Sequence, residues 1–370
     1  MSGTSLEERE DLRRSLRDLL GRLADEPARQ AALDSDLGHD PVLWSRLAEL
    51  GALSLAIPED FGGAGYGAVE QSVVLEELGR ALAPSPFLGT VVLAGTALVA
   101  AGGEAAADTL GGIAEGTTLA ALALLEHDAQ WRTSGFATTA EAVGDGWRLT
   151  GAKTLVIDGS VADALVVAAE TAAGPSLFLV TGPDGIRRTP LTTLDLTRRM
   201  AAITFDSATA TLLGEAGAAA KVLDRVLDAA MVALAAEQVG AARACLDASV
   251  CYAKDRVQFG RQIGSFQAVK HRCADMFTRV QLATAAAQEA AHAADGEPGR
   301  APAEVAAAVA HLVCSESAMV TATENIHVHG GIGFTWEHPA HLYFRRAKSS
   351  QLLLGGPGVG AERLLTRLGS

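Results

Sequence analysis

The sequence of 370 residues is poor in aromatic residues, which make up 5% of it, and it contains only four cysteines. The cysteines are scattered and form no CxxC pair, which argues against a disulfide framework and against a cysteine-ligated zinc site. We expect free thiols that serve as small apolar core residues in a reducing compartment. They are Cys245, Cys251, Cys273 and Cys314.

Basic charge is also scarce, because 30 Lys and Arg residues stand against 44 Asp and Glu residues, for a net charge of -14. Nucleic acids and anionic membranes both require a basic face, so we expect neither as a partner. No run approaches the roughly 20 apolar residues that span a bilayer. The first residues, MSGTSLEEREDLRRSL, carry no apolar signal region. We therefore predict a cytoplasmic location.

Two kinds of site have no support in the sequence. The histidines show no spacing of a second ligand, so we predict structural histidines and no metal site. The glycine-rich loop at 62–65 is neither a GxGxxG after a buried strand nor a P-loop, which argues against a dinucleotide-binding fold. The histidines in question are His127, His329, His338 and His341.

The hydrophobic pattern divides the chain into helices, then strands, then helices. We predict an α+β protein with an N-terminal all-α domain at 1–116, a middle antiparallel β-sandwich or barrel at 117–215, and a C-terminal four-helix bundle at 216–370. Ser5, followed by acidic residues, is typical of a helix N-cap. Helices are predicted at 5–24, 41–50, 68–83, 88–115, 216–253, 266–294, 302–326, 340–350 and 359–368. Strands are predicted at 118–125, 147–158, 163–170, 176–182 and 201–214. The stretch 53–67 is predicted as a short apolar strand or extended piece followed by a glycine-rich loop.

One stretch, YAKDRVQFGRQIGSFQAVKHRCADM at 252–276, combines a cation with a donor-rich turn between two helices. Arg256 is followed three residues later by Phe259 and Gly260, and a second helix begins near Gln267. Such a turn can hold a phosphate group. By itself, the pattern also fits a charged corner between two packed helices.

This stretch, together with IPEDFGGAGYG, LTGAKTLVIDGSVADALVVAA and HVHGGIGFTWEHPAHLYFRRAK, resembles the acyl-CoA dehydrogenase family over nearly the whole chain. The resemblance implies that family's fold and its chemistry, the α,β-dehydrogenation of an acyl-CoA thioester with FAD. In that reaction a carboxylate removes the proton next to the carbonyl, and a hydride passes to the flavin. The electrons then usually leave to an electron-transfer flavoprotein.

The resemblance assigns the ADP half of the FAD site to this chain. Arg256 and Phe259 match the family's arginine and aromatic residue, which lie against the FAD of a neighbouring subunit. Gln267 matches the glutamine after the turn. The segment that approaches the same end of the cofactor is matched by His327, where the family usually has Gln, and by Gly330 and Gly331. The alternative interpretation of HVHGG is an ordinary helix end followed by a turn.

The catalytic half is missing by the same comparison, so we predict no catalytic residue in this chain. Leu354 stands where the family's usual glutamate base belongs. Ala230 stands at the alternative base position, with Met231 in place of the adjacent arginine. Neither Leu nor Ala can accept a proton.

The contacts to the flavin ring are also replaced. The family's TEPxAGSD loop corresponds to LLEHDAQW at 124–131, and the Trp and Thr of its KxWIT segment become Leu155 and Ile157. These changes remove stacking surface and hydrogen-bond donors. Three other carboxylates are candidates for a base, but we expect solvated or capping charges at these positions. They are Glu237, Glu324 and Glu362.

The combination resembles the non-catalytic β subunit of heterotetrameric acyl-CoA dehydrogenases of actinobacterial sterol side-chain catabolism. It implies an α2β2 assembly in which FAD is shared, the partner subunit supplies the glutamate, and the substrate is an acyl-CoA such as a steroid-CoA side chain. Two alternatives stay open. One is a self-sufficient homotetrameric dehydrogenase with an atypical base, and the other is a flavin-free structural or regulatory relative.

Overall fold

The computed structural model describes residues 4–144 and 146–369. Its first part is helical. The predicted N-cap at the start of α1 is present as a capping box, because the Ser5 hydroxyl accepts from Glu8 N and the Glu8 side chain accepts from Ser5 N. The helices are α1 Leu6–Leu23, α2 Glu26–Asp34, α3 Pro41–Glu49, α4 Ala68–Ala81, α5 Gly95–Ala101 and α6 Glu104–Glu115. A π-helical segment, Leu88–Ala94, precedes α5.

The middle part is a seven-stranded sheet in which β5 pairs with both β7 and β4. The strands β4, β2, β3, β7 and β5 thereby close on themselves, which is the barrel alternative of the prediction. The pairing is mostly antiparallel, but β1 and β2 both pair with β4 in parallel. The strands are β1 Ala120–Ala123, β2 Thr139–Val143, β3 Gly146–Ile157, β4 Ala164–Thr171, β5 Gly174–Val180, β6 Ile186–Leu191 and β7 Met200–Leu213.

The last part is the predicted bundle. The long helices α7, α8 and α9 pack on one another, and α10 and α11 pack against α9. A short hairpin, in which the two-residue strands β8 and β9 pair, joins α7 to α8. The elements are α7 Ala219–Asp255, β8 Val257–Gln258, β9 Arg261–Gln262, α8 Gln267–Ala294, α9 Ala303–His329, α10 Ala340–Leu352 and α11 Gly356–Leu368.

The fold class is confirmed, while some elements differ from the prediction. The stretch predicted at 53–67 as a short strand or extended piece before a glycine-rich loop begins with turns at 53–57 and not with a strand. The carbonyls of these turns accept from the residues that follow, as in Tyr66 N to Leu55 O. The sequence did not indicate α2, β2 or β6. The domain limits at 116 and 215 stay a prediction, although the elements change from helix to strand after Glu115 and back after Leu213.

Close contact between α4 and α7 joins the N-terminal helices to the bundle. A Cβ added to Gly240 would lie 1.8 Å from Glu76 O, and one added to Gly79 would lie 2.1 Å from Glu237 O. Any side chain at these two positions would force the backbones apart. The main apolar core continues through this contact, from the N-terminal helices across one face of the β strands to α7, α8 and α9.

One helical stretch is more apolar than we expected from the sequence. Within the described residues, Ala303–Phe334 is long and apolar enough to cross a bilayer by length and composition. In its most apolar window, 61% is buried inside the protein. The stretch includes α9, which packs against α7 and α8. These are properties of the core helix of a bundle.

Candidate functional site

The Arg256 motif lies on the hairpin at the C-terminal end of α7. Arg256 N donates to Tyr252 O over 2.8 Å, and Ile263 N donates back to Arg256 O over 2.8 Å. The loop between β8 and β9 is the pair Phe259 and Gly260, with φ of +53° and +74°. Positive φ at both positions is typical of a type I′ turn, which favours Asn or Gly.

Phe259 is therefore an unusual choice for its position. A bulky aromatic residue with positive φ is strained, and this side chain is 92% exposed, so burial in its own chain does not offset the strain. Its ring contacts Phe266 edge-on, with centroids 6.0 Å apart, and Arg261 lies over the Phe266 ring at 4.0 Å. Strain combined with exposure indicates that the ring is held out for an external contact.

The glycine motif lies where α9 ends. Gly330 has φ +66° and ψ -141°, a conformation open only to glycine. Gly331 is exposed, and a Cβ added to it would meet nothing within 4 Å. The Cα of Gly331 thus faces open space, where an outside group can approach the backbone. His327, one turn earlier, lies with Nδ1 3.5 Å from Glu324 Oε1.

The fold brings these two motifs to the same end of the bundle. The Tyr252 ring at the end of α7 lies 4.4 Å, centroid to centroid, from the His329 ring at the end of α9. Arg272 of α8 contacts both Glu324 and His327 of α9. Gln267 opens α8 at this end, where its side-chain nitrogen lies 2.9 Å from His271 Nε2.

This end carries local positive charge on an acidic protein. Residues 252–276 contain five Lys or Arg side chains and two Asp side chains, whereas the whole chain has a net charge of -14. Exposed cations beside an exposed glycine backbone fit a diphosphate. The residues present are therefore suited to the ADP half of FAD.

The two expected base positions are part of the apolar core. Ala230 is 1% exposed and Leu354 is 2% exposed, and both belong to the main cluster. Leu354 has φ +61°, in the turn between α10 and α11. Met231 is also fully buried. Neither base position offers a proton acceptor.

Glu237 is not the solvated charge that we expected from the sequence. It is buried and accepts from two arginines: Arg346 Nη1 reaches Oε1 over 2.6 Å and Arg198 Nη2 reaches Oε2 over 2.5 Å. Burial alone would raise the pKa of Glu237, but the two guanidinium groups outweigh it and lower the pKa. A carboxylate held in this way is a poor base. Glu324 is paired, as described, and Glu362 is exposed.

The arginines belong to a larger buried network that no sequence pattern indicated. Arg346 of α10 also donates from Nε to Asp195 Oδ2 over 2.7 Å and from Nη2 to Thr197 O over 3.0 Å. Arg198 donates to Ser350 Oγ over 3.1 Å. Charged residues in short stretches such as DLTRR and FRRAK usually lie at the protein surface. The sequence therefore offered no reason to expect them in the core, and only the structure shows the network.

The segments that match the family's flavin-ring contacts have a structural use here. Glu126 accepts from Ala137 N, Thr138 N and the buried Lys153 Nζ, at 2.7 to 2.9 Å. Burial opposes ionisation, but these donors together lower the pKa of Glu126 to about 2. Burial lowers the pKa of Lys153 to about 8, partly offset by Glu126. The loop is thereby tied to β3.

Apolar side chains occupy the remaining ring-contact positions. Leu155 and Trp131 pack against the main core, and Ile157 is buried. Ile157 lines a cavity of about 10 Å³, together with Arg198, Glu237 and Arg346. That volume is close to the space of one water molecule. The residues at these ring-contact positions do not fit a flavin ring.

N-terminal helices, a closed β unit and a C-terminal helical bundle, in this order, are the architecture of a class of flavin-dependent dehydrogenases. The chain belongs to the acyl-CoA dehydrogenase family. Residues 6–117 match the family's N-terminal domain and residues 220–368 match its C-terminal domain.

Similar proteins include the acyl-CoA dehydrogenase IpdE2 of Mycolicibacterium smegmatis, which is 39% identical over 97% of this chain and 98% of its own length. A variant of the Tcur3481-Tcur3483 steroid ACAD matches with TM-score 0.88 and 34% identity over 98% of both chains. The ChsE4-ChsE5 complex of Mycobacterium tuberculosis matches with TM-score 0.89 and 32% identity, over 100% of this chain and 99% of the other.

Proposed function

We propose that this chain is the non-catalytic β subunit of an α2β2 acyl-CoA dehydrogenase that desaturates an acyl-CoA thioester. The observation that carries the proposal is the loss of a carboxylate from both positions that match the family's base, together with the pairing of Glu237. Ala230 and Leu354 are core residues, and Glu237 is neutralised by two arginines. The partner subunit would supply the catalytic glutamate.

The exposed end of the bundle supports a shared cofactor. FAD, when bound, accepts the hydride of the dehydrogenation. In this chain Arg256, Phe259, Gln267, His327, Gly330 and Gly331 would hold its ADP half, while the positions of Leu155 and Ile157 offer the ring no donor. If this chain binds only the ADP half of FAD, a second chain must supply the contacts to the flavin ring. Electrons would then leave through an electron-transfer flavoprotein that contacts the complex.

The similar structures favour the same assembly. Two of them are named as pairs of unlike proteins, one of them a steroid ACAD. A heterotetramer with active sites in only half of its subunits also has room for a large acyl group. We therefore propose a steroid-CoA side chain as the substrate class. This last step rests on the relatives and not on a cavity in this chain.

The test is co-expression with an acyl-CoA dehydrogenase that has the family's glutamate base and is encoded near this chain, followed by measurement of subunit mass and bound flavin. We expect a heterotetramer with two FAD molecules, and a chain that binds little flavin when expressed alone. Four FAD molecules per heterotetramer would contradict the proposal. A yellow chain that alone reduces an electron acceptor with acyl-CoA would show a homotetrameric enzyme. Absence of FAD even with the partner would show a structural relative.

A further inference from the structure

Three histidines lie in or beside the segment between α9 and α10: His329 ends α9, His338 lies in the segment, and His341 lies in the first turn of α10. The ring of His338 lies 4.3 Å, centroid to centroid, from the ring of His329, whose other neighbour is Tyr252. His341 contacts Trp336 edge-on at 4.5 Å, and Arg345 lies over the same Trp ring at 5.1 Å. The segment that contains Gly330 and Gly331 is thus bordered by titratable rings.

His338 also makes a hydrogen bond whose direction fixes its protonation state. Its Nδ1 accepts from Ala340 N over 3.2 Å. Ala340 is the first residue of α10, and the residue between them, Pro339, has no N–H and caps nothing with its side chain. His338 therefore satisfies one of the free N–H groups at the start of α10. An imidazolium carries a proton on both nitrogens and cannot accept this bond.

Protonation would cost more than one hydrogen bond. A positive charge at a helix N-terminus opposes the helix dipole. It would also lie beside the His329 ring, with His341 and Arg345 on the neighbouring helix turn. Across from these groups, Glu26 of α2 is the carboxylate that favours the charged form. Burial, followed by His329, lowers the pKa of His338 below its ordinary value of 6.5, and Glu26 only partly offsets this.

We propose that His338 is a proton-sensitive latch: the neutral ring ties the C-terminal end of segment 330–339 to the first residue of α10, and protonation breaks this tie and loosens the segment. The sign follows from the direction of the pKa shift. The closed form disfavours the proton, so closure is complete above about pH 6.5 and weakens as the pH falls below that value. The link to FAD rests on the proposed function, because only that proposal makes Gly330 and Gly331 cofactor contacts. The latch itself does not depend on FAD.

Hydrogen–deuterium exchange of peptides covering 330–342, at pH 5.5 and 7.5 and corrected for intrinsic exchange, measures the latch without cofactor. We expect protection to fall about two- to tenfold at pH 5.5, as for the loss of one neutral hydrogen bond. Asn Oδ1 occupies the same place in its side chain as His Nδ1, accepts a bond and does not titrate. His338→Asn should therefore keep protection at both pH values, and His338→Ala should lose it at both.

Three outcomes would overturn the latch. The first is the same pH dependence of exchange in wild type and in His338→Asn. The second is full protection in His338→Ala. The third is loss of the pH dependence in His341→Gln but not in His338→Asn. FAD retention of the co-expressed complex, measured over the same pH range, separates the two proposals. If exchange follows the latch while FAD retention does not change with pH, the latch holds and the cofactor role of the 330–331 turn fails.

Discussion

Arg346 and Glu237 form an ion pair that joins two helices of the bundle inside the protein, with Nη1 2.6 Å from Oε1 and both side chains less than a tenth exposed. The same guanidinium group reaches Asp195 in the loop between β6 and β7. One side chain of α10 thereby fixes α7 and the β unit together. A network of buried charges thereby occupies the contact between the bundle and the β unit.

Replacing Arg346 tests that structural role. Arg346→Met removes the cation and leaves Glu237 and Asp195 buried with one guanidinium group fewer. Breaking a buried pair by removing one partner costs about 3–5 kcal/mol. Urea unfolding should show a loss of that size. Arg14→Met is the matched control, because Arg14 pairs with Asp11 on the surface, and we expect a change of at most about 1 kcal/mol. Equal effects of the two substitutions would contradict a structural role for the network.

Asp158 gives the network a dependence on pH. Its Oδ2 is buried and has no hydrogen-bond partner among the described residues. Burial raises the pKa of Asp158 to about 7, although Arg198 and Arg346 partly oppose this. Because the folded state holds the proton more tightly, stability from this group is complete below the unfolded pKa near 3.8. It is then lost as the pH rises to about 7.

We therefore expect Asp158→Asn to flatten the pH dependence of stability. The difference in free energy of unfolding between pH 5 and pH 8 should shrink by about 1–3 kcal/mol, since a tenfold change in proton affinity corresponds to roughly 1.4 kcal/mol. Urea unfolding at several pH values measures it. Asp184→Asn, at an exposed loop position, is the control and should leave the slope unchanged. If the slope of Asp158→Asn equals that of wild type, Asp158 is already ionised at pH 5.

The spacing of apolar residues predicted most of the long elements. In α7 and β4, for example, the buried positions are the apolar residues of the local sequence. The spacing did not reveal β2 and β6. In β2 only Ala140 is buried, and β6 pairs only with β7 and contains Pro190. Such strands exist because a neighbour offers hydrogen bonds, which a local pattern does not encode.

The site divides in the same way. The sequence could predict the loss of the base at Ala230 and Leu354, since a residue type matched to a family motif needs no three-dimensional information. The burial of Glu237 was not visible, because its partners Arg198 and Arg346 lie 39 and 109 residues away in the chain. A charge in a helix pattern is ordinarily solvated, and only tertiary contact makes it a core residue.

Gly240 tests the contact between α4 and α7. In Gly240→Ala the new methyl group would lie 1.8 Å from Glu76 O and 2.9 Å from Arg80 N, both backbone atoms. The two helices must separate, so we expect a loss of about 1–3 kcal/mol or more. Gly111→Ala, in α6 with nothing within 4 Å of the added atom, is the control. It should gain about 0.5–1 kcal/mol. Thermal unfolding distinguishes the two, and a neutral Gly240→Ala would contradict the close contact.

Arg256 tests the assignment of the cofactor's phosphate end. Its side chain is exposed at the hairpin after α7, so Arg256→Ala should leave folding and assembly unchanged. If the guanidinium group holds the diphosphate in the co-expressed complex, its loss removes a charge-assisted hydrogen bond of about 1.5–3 kcal/mol. FAD retention, measured by the flavin-to-protein ratio after dialysis and by titration of the apo complex, should then weaken by tenfold or more.

The control for this prediction is Lys254→Ala, which removes an equally exposed cation two residues earlier in the chain. A cation that acts only through the general field should produce a small change that disappears at high salt. The Arg256 effect should persist at high salt, because a direct contact is screened much less. Equal losses in the two variants would mean that the basic end attracts FAD without a specific role for Arg256. Unchanged retention in Arg256→Ala would place the diphosphate elsewhere.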